Sequence, residues 1–184
     1  MVQEALVLID IQNDYFPGGQ MELEGMDAVA ANARHILAFF RRNHKPIFHI
    51  QHLSVRPGST FFLPDTAGAE IHASVAPLAG EPVICKHFPN AFRDTPLHER
   101  LAELHIERLT ICGAMSHMCI DTSVRAAFDL GYACRLVADA CATRHLEFGG
   151  MVVEAARVQA AFIAALGAVF AEIVTTGDLV GTAA

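Results

Sequence analysis

Apolar residues fall along this chain in two alternating patterns: short unbroken runs, and longer stretches spaced at three and four residues. The runs ALVLIDI (5–11), PIFHIQHL (46–53), PVICK (82–86), LTICG (109–113), YACRLVAD (132–139) and AVFAEIVTT (168–176) have strand length. Unbroken runs of this kind suit strands buried on both faces. Between them, MDAVAANARHILAFFRRN (26–43) carries apolar positions at helical spacing and ends in basic residues, which favour a helix C-terminus. LHERLAELH (97–105) predicts a short helix. MSHMCIDTSVRAAFDLG (115–131) predicts another, with Val124, Ala127 and Phe128 on one face, Ser116 as N-cap and Gly131 as C-cap. LEFGGMVVEAARVQAAFIAALG (146–167) predicts a long one. Strands separated by helices indicate βαβ units, so the fold class is α/β, a parallel sheet with helices on both faces.

The stretch 54–81, SVRPGSTFFLPDTAGAEIHASVAPLAGE, is long for a connection in a compact domain. Its Phe61, Phe62 and Leu63 point to a substrate-side or interface loop.

Composition narrows the class. The 184 residues fit one domain, 1–184, and 53% hydrophobic against 18% charged residues argues for a packed globule. A net charge of −7 without a basic stripe excludes nucleic acid as a partner. No apolar run has the length of a membrane span, and MVQEALVLID lacks a secretory signal's positive start and cleavage site. Five cysteines without a CxxC pair suit a reducing compartment, so a cytoplasmic location is expected.

In an open α/β sheet, ligands bind beyond the carboxyl ends of the strands. Three reactive groups fall there. Asp10 ends an apolar run, where a charge is costly unless paired; it either caps backbone amides, as Asp14 is expected to do, or serves chemistry. Lys86 ends PVICK and is either a solvated strand-end lysine or part of a site. Cys119 falls in the first turn of a helix, whose N-terminus lowers a thiol pKa and offers amides to an oxyanion. It is otherwise a small buried hydrophobe, as Cys85, Cys112 and Cys134 inside strands are expected to be. His117 and Asp121, each two residues from Cys119, point away from it on a helix. No zinc-type spacing accompanies the stretch.

Asp10 in LIDIQNDYF, Lys86 in PVICKHFPNAF and Cys119 in CGAMSHMCIDTSVRAAFDLGY, with FFLPDTAGAEIH in the long loop and ADACATR after the fifth run, together resemble the isochorismatase-like cysteine hydrolases. That group includes nicotinamidases and N-carbamoylsarcosine amidases. The resemblance implies a three-layer, doubly wound, mostly parallel six-stranded sheet of order 3-2-1-4-5-6. It implies Cys119 as nucleophile, Asp10 as the group that accepts and returns the proton, and Lys86 as the charge that steadies both. It also implies a cis peptide at Ala114–Met115 and an oxyanion hole from the backbone amides of Met115 and Cys119. Phe16, Phe92, His117 and Phe61 would line the substrate pocket, and dimers or tetramers would be expected.

The chain departs from nicotinamidases at the end of the second strand. They hold a metal there with an Asp-x-His pair, whereas this chain has HIQHLS with no carboxylate. His49 and His52, three apart on a strand, face opposite sides. The reading therefore calls for no metal and no cofactor. Asp94 stands where relatives often have glycine. The expected activity is hydrolysis of a C–N bond in a small amide or carbamoyl compound through a thioester. The alternatives are vinyl-ether hydrolysis of the isochorismatase type, or a non-catalytic binding protein that keeps the fold.

Overall fold

The computed structural model describes residues 2–181; Met1 and 182–184 of the expected 1–184 domain lie outside the described residues. In chain order the strands are β1 (Glu4–Ile9), β2 (Ile47–His52), β3 (Val83–Lys86), β4 (Arg108–Ala114), β5 (Ala133–Ala142), β6 (Leu146–Phe148), β7 (Met151–Val153) and β8 (Glu172–Val174). The helices are α1 (Met26–Arg42), α2 (Leu97–Glu103), α3 (Asp121–Asp129), α4 (Ala155–Gly167) and α5 (Thr176–Val180).

The main sheet has the order β3-β2-β1-β4-β5-β8, every neighbouring pair parallel. Counting only its own strands, this is the expected 3-2-1-4-5-6. All six residues of β1 are buried, as its unbroken apolar run requires. They alternate between two cores. Leu6 and Leu8 pack with Ala33, Ile36, Leu37 and Phe40 of α1. Val7 and Ile9 face the other way, towards Leu97 and Leu101 of α2 and Val124 and Ala127 of α3. The buried positions of α1, Met26, Val29, Ala30, Ala33, Ile36, Leu37 and Phe40, follow the three-four spacing of one helix face. Burying each of its larger side chains contributes about 1.5–3 kcal/mol before chain entropy is counted.

Two sequence expectations fail for local reasons. The stretch 146–167 is not one helix: β6 and β7 form an antiparallel hairpin, and only Ala155–Gly167 is helical. Gly149 and Gly150 both take positive φ, 59° and 77°, the conformation of a tight two-residue hairpin turn, and the β-branched Val152 and Val153 follow. The last strand is only Glu172–Val174, because the chain turns through Ala168–Ala171 as it leaves α4. Asp94 adopts φ 55°, the left-handed region where glycine is at ease and which aspartate tolerates.

Candidate active site

The carboxyl ends of the four adjacent strands β3, β2, β1 and β4 bring Lys86, His52, Asp10 and the approach to Cys119 side by side. Register sets this arrangement: His52 lies opposite Lys86, Ile9 opposite Ile50, and Ile9 opposite Gly113. The last pairing needs a glycine, since a Cβ on Gly113 would lie 1.9 Å from the Ile9 carbonyl oxygen. Past β4 the Ala114–Met115 peptide is cis, and residues 116–120 make a single π-helical turn leading into α3. Ser116 does not cap this turn. Its hydroxyl donates instead to the Ala142 carbonyl and contacts Gln159 of α4.

Lys86 and Asp10 are both fully buried, with Nζ 2.8 Å from Asp10 Oδ2. The same Nζ lies 3.2 Å from Cys119 Sγ, 2.9 Å from His52 Nδ1 and 3.2 Å from the Phe88 carbonyl oxygen. Three ammonium protons thus serve four acceptors. Asp10 Oδ1 is buried without a hydrogen-bond partner among the described residues. A buried carboxylate oxygen left bare is costly unless something arrives to use it.

Burial opposes the Lys86 charge, but the Asp10 carboxylate outweighs it and raises the lysine pKa. Burial, and after it the Asp10 carboxylate, raise the Cys119 thiol well above its ordinary range; Lys86 works in the opposite direction without prevailing. The helix N-terminus does not lower this thiol as the sequence suggested, because burial and a neighbouring carboxylate are the larger effects. The resting site is a thiol beside an Asp10–Lys86 ion pair. Burial, and after it Lys86, lower His52 to about 4, so its ring is neutral.

Asp10, His52 and Cys119 offer one ligand atom each within 4.8 Å of one another, a spacing that could suit a metal ion. They do not fit one here, because the Lys86 ammonium already contacts all three side chains and would repel a cation. At the end of β2, Gln51 is engaged too, donating to the Ala69 carbonyl and accepting from Cys85. His49 faces away and contacts Glu81 at 3.0 Å.

A cavity of about 530 Å³ opens over Cys119, with walls that include Tyr15, His52, Phe61, Phe62, Phe88 and Met118. Residues 54–62 of the long loop form one side. Asp14 secures that loop by accepting from the Phe62 amide at 2.6 Å and from the Gln20 amide, the capping role expected of it. Of the four residues expected in the pocket wall, Phe61 lines this cavity and the other three do not. Phe16 is buried and stacks on His72 at 3.6 Å between ring centroids. Phe92 stacks on Tyr132, and His117 contacts the Thr143 hydroxyl at 2.6 Å beneath the edge of Phe162. The sequence reading weighed His52 only as a metal ligand and set it aside; its place between Lys86 and the cavity follows from strand register.

A family model described as "Isochorismatase domain" matches residues 4–178. The chain belongs to the isochorismatase family. The family protein YddQ of Bacillus subtilis is 49% identical over 172 residues, 94% of this chain and 96% of that one. Streptothricin hydrolase of Streptomyces noursei is 31% identical over 140 residues, 76% of this chain and 54% of that protein. Among solved structures, an isochorismatase from Pseudomonas putida has a TM-score of 0.91 and 40% identity, covering 96% of this chain and 90% of that one. The chain is an isochorismatase-family hydrolase, and no described helix is long and apolar enough to cross a membrane.

Proposed function

We propose that this protein hydrolyses a C–N bond of a small amide or carbamoyl compound, with Cys119 as nucleophile. The observation that carries this reading is the buried Lys86 ammonium in contact with both Asp10 and Cys119 Sγ, beside an unpartnered Asp10 Oδ1. Cys119 Sγ attacks the substrate carbonyl carbon and forms the S–C bond while its proton passes to Asp10. A resting thiol is compatible with this, since the proton leaves as the attack occurs. Lys86 offsets the negative charge that develops, and the backbone amides of Met115 and Cys119 donate to the oxyanion. Protonated Asp10 then gives its proton to the leaving nitrogen, the C–N bond breaks, and a thioester is left on Cys119. Water activated by Asp10 hydrolyses it, releasing the acid and restoring the thiol. The cavity over the sulfur has the size of a small-molecule site, and the similarity to a streptothricin hydrolase supports the reading.

The test is ammonia or amine release from a panel of small amides and carbamoyl compounds, with pyruvate release from isochorismate measured beside it. Wild type should release nitrogen from members of the panel, and Cys119→Ala should release none above the uncatalysed rate while keeping its melting temperature. Cleavage of isochorismate alone would instead support vinyl-ether hydrolysis. A blank on every compound would support the non-catalytic reading.

A further inference from the structure

The cavity over Cys119 is set up for a negative charge. Among the described residues its walls contain no aspartate or glutamate, although the chain carries a net charge of −7. They contain Arg56, His52 and His87. Asp10 lies beneath, but its charge is already matched by Lys86.

The His52 ring and the Arg56 main chain are held in place. Gln12, fully buried, grips the main chain of His52 from both sides: its Oε1 accepts from the His52 amide at 2.7 Å and its Nε2 donates to the His52 carbonyl at 2.9 Å. The His52 ring is fixed by Lys86. An ammonium 2.9 Å from Nδ1 makes that nitrogen the acceptor, so the single ring proton sits on Nε2. Nε2 has no protein partner among the described residues, and His52 lines the cavity. Arg56 opens a tight Pro57-Gly58 turn, closed by the Ser59 amide donating to its carbonyl at 3.1 Å, with Gly58 at φ 80°. The guanidinium makes no ion pair among the described residues. His52, with its ring proton on Nε2, and Arg56, without an ion pair among the described residues, both line the cavity over Cys119, a donor set suited to a planar anion.

We infer that the site selects substrates carrying a carboxylate beside the scissile bond, with His52 Nε2–H and the Arg56 guanidinium as the groups that select it. The inference rests on the hydrolase reading for the scissile bond, and on the cavity alone for the charge.

Iodoacetate and iodoacetamide test it without a known substrate, since they present the same electrophilic carbon with and without a charge. In both, the thiol sulfur displaces iodide to form the S–C bond, and the thiol proton passes to Asp10 or to solvent. The exposed Cys85 is the internal reference. The iodoacetate-to-iodoacetamide rate ratio at Cys119, read by peptide mass, should exceed that at Cys85 by about tenfold. Arg56→Leu and His52→Asn should each lower it by about threefold or more, and His52→Gln, which keeps a donor at the reach of Nε2, should lower it less than His52→Asn. Equal ratios at the two cysteines, or a raised ratio untouched by Arg56→Leu, would overturn the inference. Arg56 is exposed in a loop, so its variant decides the matter if the His52 variants do not fold. In parallel, the monoamides of oxalic, malonic and succinic acids should release ammonia faster than their methyl esters, with the preference held in KM and lost in Arg56→Leu. Absence of ammonia from both series would count against the hydrolase reading and not against the charge preference, which the alkylation ratio decides.

Discussion

Lys86 has no exposed surface and holds four neighbours through one nitrogen, so its removal has two separable consequences. Lys86→Met leaves Asp10 as an uncompensated buried charge, which typically costs about 3–5 kcal/mol of stability. Replacing both partners, as Asp10→Asn with Lys86→Met, removes that charge and should recover much of the loss in thermal or denaturant unfolding. Activity should be absent in the single and the double variant alike. Restored activity in the double variant would show that the pair is structural only. Position alone left Asp10, Lys86 and Cys119 each with an ordinary structural reading beside a chemical one; the family motifs singled them out together, and the structure brings their side chains into contact through the Lys86 Nζ. His52 was not legible in the sequence, because its contact with Lys86 depends on the β2–β3 register. Phe16, Phe92 and His117 were assigned to the pocket from the resemblance, but their rings turn to His72, Tyr132 and Phe162 instead.

At the scale of elements, periodicity located the six sheet strands and most helices, and missed where glycine overrides it. LEFGGMVVE could be threaded on a helix, yet two adjacent glycines with positive φ make a hairpin. The connection into β3 carries a clamp that the sequence did not announce. Glu81 accepts two hydrogen bonds from Arg41 of α1, one from the Leu78 amide, and contacts His49 of β2. Burial opposes the ionised form of Glu81, but these partners outweigh it and hold its pKa at about 2, below the ordinary 4.5. A lowered carboxyl pKa stabilises the fold above about pH 4.5, and that stability is lost as pH falls towards 2. His49, kept neutral by burial, adds a loss that begins as pH falls below the ordinary 6.5. Glu81→Gln should therefore be less stable than wild type at pH 7, with the difference shrinking between pH 4.5 and 2 in urea unfolding curves. A constant difference across that window would show that the clamp is not linked to Glu81 ionisation.

For the whole molecule, sheet order explains why residues so far apart in sequence act together. β1 and β4 are adjacent at the centre, and β2 and β3 follow on one side, so four carboxyl ends meet under one cavity. This architecture was legible from alternating runs and helices together with the family motifs. The cavity wall was not, because the loop at 54–62 is placed by Asp14 and by packing of Tyr15 on Phe62 rather than by any periodic pattern. The central claim is that a thioester forms on Cys119. The most direct measurement is peptide mass analysis of wild type, acid-quenched during turnover of an amide identified by ammonia release. The expected result is the substrate's acyl group on the Cys119 peptide; an acyl group on another residue, or full turnover by Cys119→Ala, would contradict it.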